Sequence, residues 1–305
     1  MDKIWLKNYP AGVPAEINPN EIASLQALVE RSFAKFAAQP AYTCMDRTLT
    51  FGDVDRLSRQ FAAYLQKVAG LQKGDRIAIM LPNILQYPVA IAAAFRAGLT
   101  IVNTNPLYTP RELEHQLKDS GAEAIIILEG FAATLQAVIA RTAVKHVVVA
   151  SIGDMLGFPK GAIVNFAVRR IKKMVPAYSL PGHVRFSDAL DEGARRQLER
   201  VTVGPLDVAF LQYTGGTTGV SKGATLTHRN LVANVLQMEA WVGPALTDTT
   251  RGPVPEQLIY ICALPLYHVF ALTVNMLAGM RLGTLNVLIA NPRDMDGLVR
   301  ELAKY

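Results

Sequence analysis

The chain has 305 residues, of which 50% are hydrophobic and 18% are charged. This composition excludes an intrinsically disordered protein, and it allows a large buried core in one large or two modest domains. The formal net charge of +6 arises in one window, residues 155–187, which holds six Lys and Arg residues and no Asp or Glu.

The amino terminus and the cysteines predict the compartment. The first ten residues are interrupted by Asp2, Lys3 and Lys7 and contain no apolar core of signal-peptide length. Cys44 and Cys262 each lie in an apolar run, without the His/Cys cluster of a metal site. We therefore expect two reduced, buried thiols in a cytoplasmic protein.

The amino-terminal region is predicted to form two amphipathic helices around a hairpin. Residues 18–21, Asn-Pro-Asn-Glu, have the types of a helix start, and apolar residues follow at helical spacing over 22–36. Residues 41–51 fit a hairpin, and a second helix with an apolar face follows over 54–68.

From residue 76 onward, short aliphatic runs alternate with helical stretches. The aliphatic runs lie at 76–81, 99–103, 124–128 and 146–150, and the helical stretches lie at 84–97, 110–120 and 130–142. Nearly continuous apolar strands are typical of a parallel sheet that helices cover on both faces. The sequence therefore predicts an α/β fold with parallel or mixed sheets covered by helices.

Gly204-Pro205 is the best break in the middle of the chain. We expect a first α/β subdomain over 1–204 and the start of a second one over 205–305. The second is predicted to have strands at 207–213, 223–227, 257–263 and 284–289 and a helix from His228. Residues 261–280 carry no formal charge and are long enough to span a membrane. Because Pro265 and His268 interrupt them, we predict a buried strand, a loop and a buried helix instead.

The basic window contains a predicted amphipathic helix that runs from Pro159 to Val175. On a helical wheel, one arc carries Ile163, Val164, Ala167, Val168, Ile171, Met174 and Val175, and the other carries Asn165, Arg169, Arg170, Lys172 and Lys173. Such a helix suits an anionic membrane surface, such as the inner face of the cytoplasmic membrane, where each basic residue contributes about 1 kcal/mol. A packed surface helix with solvated charges explains the pattern equally well. No nucleic acid partner is expected, because no RNA- or DNA-binding motif accompanies the charge.

The strongest chemical pattern is a segment rich in glycine and hydroxyl side chains between two strand-like runs. This segment, which we call the phosphate segment, comprises Tyr213, Thr214, Gly215, Gly216, Thr217, Thr218, Gly219, Val220, Ser221, Lys222, Gly223 and Ala224. Closely spaced glycine amides make an anion-binding concavity, hydroxyls add donors, and a lysine supplies a compact positive charge. The pattern therefore predicts phosphate binding.

Neither a Walker A loop nor an ordinary hairpin turn accounts for the phosphate segment. A Walker A loop needs Gly-Lys-Ser/Thr with a helix directly behind it, whereas Lys222 follows Ser221, precedes Gly223 and leads into a strand-like run. A hairpin turn needs only about two to five residues and one or two glycines, so it leaves the excess of glycines unexplained.

At this segment the chain resembles the adenylate-forming superfamily of acyl-CoA synthetases, adenylation domains and luciferases, whose signature is Thr-Ser/Gly-Gly-Thr/Ser-Thr-Gly-x-x-Lys-Gly. Residues 214–223 follow it, except that Gly215 replaces the commoner serine and Ser221 the commoner proline. Gly215 is similar to the variant of bacterial long-chain acyl ligases. Further motifs extend the resemblance: Leu-Pro-Asn at 81–83, Asn-Thr-Asn-Pro-Leu-Tyr at 103–108, Leu-Thr-His-Arg-Asn-Leu at 226–231 and Leu-Pro-Leu-Tyr-His at 264–268.

The resemblance implies ATP-dependent activation of a long-chain fatty acid. The fatty carboxylate attacks the α-phosphate, pyrophosphate leaves, and coenzyme A takes the acyl group from the adenylate. Thr214, Thr217, Thr218 and Lys222, with the glycine amides, would grip the β- and γ-phosphates and, with Mg²⁺, stabilise the departing pyrophosphate. His268 resembles a gate or positioning group beside the acyl channel, whereas His115 and His228 are expected to be structural. The alternative is a non-catalytic module that binds a nucleotide or a fatty acid.

The resemblance also implies parts that the chain lacks: an adenine-binding segment, a ribose-binding Asp, a hinge and a carboxy-terminal lysine. We therefore expect a large amino-terminal domain that is incomplete at its carboxyl end. We predict that the purified 305-residue chain does not complete adenylation. Incubation with ATP and oleate tests this prediction, and measurable acyl-adenylate would refute it.

Overall fold

The computed structural model describes residues 3–214, 220–247, 249–251 and 253–305. The strands are β1 (Pro40–Cys44), β2 (Arg47–Thr50), β3 (Arg76–Met80), β4 (Thr100–Asn103), β5 (Ala124–Leu128), β6 (His146–Ala150), β7 (Val184–Arg185), β8 (Val208–Thr214), β9 (Lys222–Thr227), β10 (Ile259–Cys262) and β11 (Leu285–Leu288). The α-helices are α1 (Leu25–Lys35), α2 (Phe51–Lys67), α3 (Gln86–Ala97), α4 (Pro110–Ser120), α5 (Ala132–Gln136), α6 (Lys160–Phe166), α7 (Phe186–Ala194), α8 (His228–Thr247), α9 (Val269–Ala271), α10 (Gly279–Leu282) and α11 (Met295–Lys304).

The described strands form two sheets. The larger has the order β7-β6-β5-β3-β4-β8-β9; its neighbours are parallel except for the antiparallel pair β8 and β9. The smaller has the order β10-β11-β1-β2, with only β1 and β2 antiparallel. The predicted α/β fold with parallel and mixed sheets is confirmed.

Helices cover both faces of the larger sheet. Along β3, Ile77 and Ile79 join the core that contains α1, α2 and α3, whereas Ala78 and Met80 join a second core with Leu113 of α4. All residues of α3 are buried, as expected for a helix that is apolar on nearly every side.

The first predicted helix begins later than the sequence indicated. The start at 18–21 is wrong: α1 begins at Leu25, because the Ser24 hydroxyl accepts from the amide of Ala27 and supplies the cap. The hairpin and the second helix are confirmed, and a reciprocal cap between Thr50 and Asp53 fixes the start of α2.

The helix predicted over 130–142 is mostly absent. Only α5 is α-helical there, and a 3-10 turn follows at Ile139–Arg141. Val138 leaves helical backbone at φ −127° and buries its side chain in the second core.

Strands from both sides of Pro205 contribute to both sheets. The strands β8 and β9 extend the larger sheet, while β11 pairs with β1 and thereby adds β10 and β11 to the smaller one. The subdomain boundary near Pro205 stays a prediction from the sequence. Residues 261–280 form the end of β10, a loop and a helical stretch with a π-helical centre at Leu272–Ala278. Within the described ranges, no helix is long and apolar enough to cross a membrane.

The basic helix differs from its prediction in length and orientation. It ends near residue 171, because α6 continues only as the π-helical turn Ala167–Ile171, which rotates the side chains that follow it. Two residues of the predicted solvated arc form hydrogen bonds with the protein body. The Asn165 side chain accepts from the Gly153 amide at 2.8 Å, and the Arg169 guanidinium pairs with Glu129 at 2.8 Å. Since a buried carboxylate needs a cationic partner, Glu129 draws Arg169 toward the sheet.

Candidate functional site

The carboxyl ends of four strands meet at one edge of the molecule. The larger sheet contributes β3, β4 and β8, and the smaller sheet contributes β10 with the loop 264–268 that follows it. Buried side chains join these ends through hydrogen bonds. Because ligands of open α/β sheets bind outside the carboxyl ends of the strands, this edge is the candidate site.

Asn83, which follows β3, holds the loop after β10. Its Nδ2 donates to the carbonyl oxygens of Cys262 and Leu264, both at 2.9 Å. Its Oδ1 accepts from the amide of Leu266 at 2.8 Å. Asn83 is 3% exposed, so these three bonds replace water for nearly the whole side chain and fix the loop against the larger sheet.

A second set of buried side chains extends this network to β8. The Tyr87 hydroxyl donates to two acceptors. They are Asn103 Oδ1 at 2.8 Å and the carbonyl oxygen of Leu266 at 2.9 Å. Asn103 Nδ2 donates to Gln212 Oε1 at 3.2 Å, and Gln212 Nε2 donates to the carbonyl oxygen of Tyr267 at 3.0 Å. Burial raises the pKa of Tyr87 well above its usual value, so it stays a neutral donor.

The network places His268 at the exposed end of the loop. Its Nδ1 accepts from the amide of Phe270 at 3.4 Å and thereby caps α9. Because that nitrogen is an acceptor, the ring carries its proton on Nε2. The ring is exposed, so His268 is not part of the buried core.

The two arms of the phosphate segment lie at the same edge. Tyr213 and Thr214 end β8, and Lys222, Gly223 and Ala224 begin β9, with Tyr213 opposite Gly223 and Thr214 opposite Lys222. Thr214, Val220, Lys222 and Ala224 are exposed, Ser221 and Gly223 are half-buried, and Tyr213 is buried. Gly215, Gly216, Thr217, Thr218 and Gly219 lie outside the described residues. Gln212, which binds the Tyr267 carbonyl, is two residues from Thr214, so the network connects this segment to the loop that carries His268.

The groups that support these arms were not evident from sequence patterns. His115 and Asp119 of α4 contact Ser221 and Tyr213 respectively, and Asn83, Tyr87 and Gln212 form most of the buried network. Asn83 lies in the Leu-Pro-Asn motif noted in the sequence, but no pattern in the sequence indicated which groups these side chains bind. Within the described ranges, no group of three or more His, Cys, Asp or Glu residues could hold a metal ion.

Both cysteines are buried free thiols, as predicted. Burial raises the pKa of Cys44 and of Cys262 to about 12, so neither is a thiolate nucleophile at neutral pH.

The fold and this edge place the chain in a known class. It belongs to the AMP-binding enzyme family, because the model of that family matches residues 29–305.

Among curated relatives, a long-chain-fatty-acid–CoA ligase of Escherichia coli is 54% identical over 100% of this chain and 53% of its own length. One from Bacillus subtilis is 34% identical over 94% of this chain and 50% of its own length. The chain therefore spans about half the length of the curated relatives it matches.

Solved structures agree with the fold. A long-chain-fatty-acid-CoA ligase from Archaeoglobus fulgidus is 25% identical with a TM-score of 0.73, and the match covers 97% of this chain and 52% of that one. An anthranilate CoA ligase in complex with anthranoyl-AMP is 18% identical with a TM-score of 0.75, over 95% and 50% of the two chains. At that identity the second match supports the fold alone.

His228 is structural, and its burial predicts a dependence of stability on pH. Its Nδ1 accepts from the amide of Leu25 at 3.2 Å, and burial lowers its pKa from 6.5 to about 4. The unfolded chain therefore takes up a proton near pH 6.5 and the folded chain only near pH 4. As the pH falls through this window, the free energy of unfolding should decrease, by about 3 kcal/mol at full protonation.

Urea denaturation at a series of pH values from 4 to 8 measures this effect. His228→Asn keeps an acceptor for the Leu25 amide but does not titrate in this range, so the variant should lose most of the acid-dependent decrease. An equal decrease in the wild type and the variant would contradict the assignment.

Proposed function

We propose that the protein, at the full length of its relatives, activates long-chain fatty acids with ATP, first to the acyl-adenylate and then to acyl-CoA. The observation that carries this proposal is the phosphate segment, whose two arms end at the sheet edge beside the loop that bears His268. The names of the relatives supply the substrate class.

In the first step, a carboxylate oxygen of the fatty acid bonds to the α-phosphorus of ATP, and the bond from that phosphorus to the bridging oxygen of pyrophosphate breaks. Negative charge accumulates on the departing pyrophosphate. The ammonium of Lys222, the hydroxyls of Thr214, Thr217 and Thr218, and main-chain amides of the segment would donate to its oxygens. Donors held in place before the reaction stabilise this charge without having to reorganise. In the second step, the sulfur of coenzyme A bonds to the acyl carbon, the bond from that carbon to the phosphate oxygen breaks, AMP leaves and the thiol proton is released to solvent.

The exposed ring of His268 supports a positioning role for this residue at the edge. His268 presents an Nε2–H on a loop held by Asn83, so it is suited to position the fatty acid rather than to act as a buried structural group. No carboxylate cluster for Mg²⁺ exists among the described residues. We therefore assign no protein ligands to that ion and no step to it.

The test uses the protein extended by its natural downstream sequence. We predict oleate-dependent exchange of pyrophosphate into ATP, and we predict that Lys222→Ala slows this exchange about a hundredfold, the usual effect of removing one donor to a developing charge. Lys7→Ala, an exposed lysine of the amino-terminal segment, is the matched control and should keep the wild-type rate. If the extended protein shows no exchange with any fatty acid, the enzyme proposal fails. Binding of ATP or oleate without exchange would then favour the non-catalytic module.

We also propose that residues 158–174 bind the anionic inner surface of the cytoplasmic membrane. Large apolar side chains are exposed along this segment: Phe158 at 93%, Ile163 at 63%, Phe166 at 61%, Ile171 at 69% and Met174 at 55%. Concentrated exposed apolar side chains are uncommon on a soluble surface and mark interaction sites.

The contacts of the segment with the protein body support this orientation. Arg169 donates to Glu129 and to Ser151, both at 2.8 Å, and Asn165 accepts from the Gly153 amide. The polar side chains thus anchor the segment, and its large apolar residues face solvent. Arg170, Lys172 and Lys173 are exposed beside them, which is the pairing that an anionic lipid surface attracts.

Vesicle sedimentation tests the membrane proposal. At low salt, vesicles containing phosphatidylglycerol should bind the protein. Lys172→Gln with Lys173→Gln should weaken partitioning about thirtyfold, since each basic residue contributes about 1 kcal/mol. Lys7→Gln with Lys35→Gln removes the same charge elsewhere and should have a much smaller effect. Absence of wild-type binding at low salt would contradict the proposal.

A further inference from the structure

Helix α4 contacts both arms of the phosphate segment. The Nε2–H of His115 donates to the carbonyl oxygen of Ser221 at 2.9 Å, and the Tyr213 hydroxyl donates to Asp119 Oδ2 at 2.5 Å. His115 and Asp119 are four residues apart and therefore lie on one face of the helix. The arm that enters the segment and the arm that leaves it are thus held by neighbouring side chains of one rigid element.

The glycine at 223 allows the Tyr213 side chain to reach α4. A Cβ at this position would lie 2.9 Å from Cε2 and 3.0 Å from Cζ of the Tyr213 ring. Any larger residue would displace the ring, and with it the hydroxyl that Asp119 binds. Burial and the hydrogen bond to Asp119 both raise the pKa of Tyr213, so the hydroxyl keeps its proton.

The helix that carries these contacts is itself fixed. Thr109 and Glu112 form a reciprocal cap at its start, and the side chains of Leu113 and Leu117 are fully buried. Gln116 Nε2 donates to the carbonyl oxygen of Asn103 at 2.8 Å, which ties α4 to the carboxyl end of β4. Because α4 is fixed to the sheet, its contacts with Tyr213 and Ser221 fix both residues relative to the sheet.

We propose that His115 and Asp119 are positioning residues that hold the two described arms of the phosphate segment, at Tyr213 and at Ser221, in place before ATP binds. This inference rests on the proposed function and adds two residues to it. The His115 bond ends on the carbonyl of Ser221, in the peptide group that joins Ser221 to Lys222, and the Asp119 bond ends on the residue before Thr214. Holding both points fixes the described arms in advance, and preorganised donors bind a ligand more tightly for that reason.

The location of these two hydrogen bonds favours a positioning role over a role in overall stability alone. Both bonds lie at the ends of the strands, where β8 and β9 approach the phosphate segment, and their partners are separated by 94 and 106 positions along the chain. Loss of either bond should therefore affect ATP more than the fatty acid.

Kinetics of the extended protein separate positioning from stability. In pyrophosphate exchange, His115→Ala and Asp119→Ala should each raise KM for ATP about fivefold and leave KM for oleate unchanged. His115→Gln, which keeps an Nε2–H donor at similar reach, should restore the wild-type KM for ATP. Arg111→Ala, an exposed residue of the same helix, is the control and should behave as the wild type.

Hydrogen exchange gives a second readout on the 305-residue chain. In His115→Ala, the amides of residues 220–224 should exchange faster while the thermal midpoint stays that of the wild type. The inference is overturned if amide hydrogen exchange of residues 220–224 is unchanged in His115→Ala, or if KM rises equally for ATP and oleate. It is also overturned if His115→Gln raises KM for ATP as much as His115→Ala does. If the extended wild-type protein shows no pyrophosphate exchange, the proposed function is refuted instead. Amide hydrogen exchange would still decide whether α4 holds the two arms.

Discussion

The site depends on buried amide and phenol side chains, which must all form hydrogen bonds at the place where the two sheets meet. Asn83, Tyr87, Asn103 and Gln212 lie among apolar strands and helices with almost no access to water, and a buried polar group without a partner costs about 1–3 kcal/mol. Many of their partners are main-chain groups of residues 262–267. The position of the His268 loop is therefore set by hydrogen-bond satisfaction at the carboxyl ends of β3, β4 and β8.

This arrangement separates rigid support from the groups that would meet a substrate. The exposed side chains Thr214, Lys222 and His268 lie at the ends of elements whose bases are tied to the sheet or to α4. Such a division is what a phosphate-transfer site requires, because donors that are already oriented stabilise developing charge at no further ordering cost. Substrate-binding groups can then be few, as long as the buried network behind them is complete.

The sequence predicted what local pattern determines and missed what distant partners determine. Continuous apolar runs identified β3, β4, β5 and β6 of the larger sheet, whereas phosphate binding by residues 213–224 stays a prediction from their composition. The start of α1 was predicted too early because Asn18 and Ser24 are both possible caps and Ser24 is the one used. The predicted polar face of the basic helix was wrong because Asn165 and Arg169 form hydrogen bonds with Gly153 and Glu129. The contacts of His115 could not be predicted, since nothing near it in sequence indicates that Ser221 lies beside it.

The most direct test is a structure of the protein bound to a non-hydrolysable ATP analogue. We expect the β- and γ-phosphates to accept hydrogen bonds from main-chain amides within residues 214–223, with the Lys222 ammonium in contact with a phosphate oxygen. A triphosphate bound elsewhere, or a segment closed into a packed bend with no space for an anion, would contradict the account.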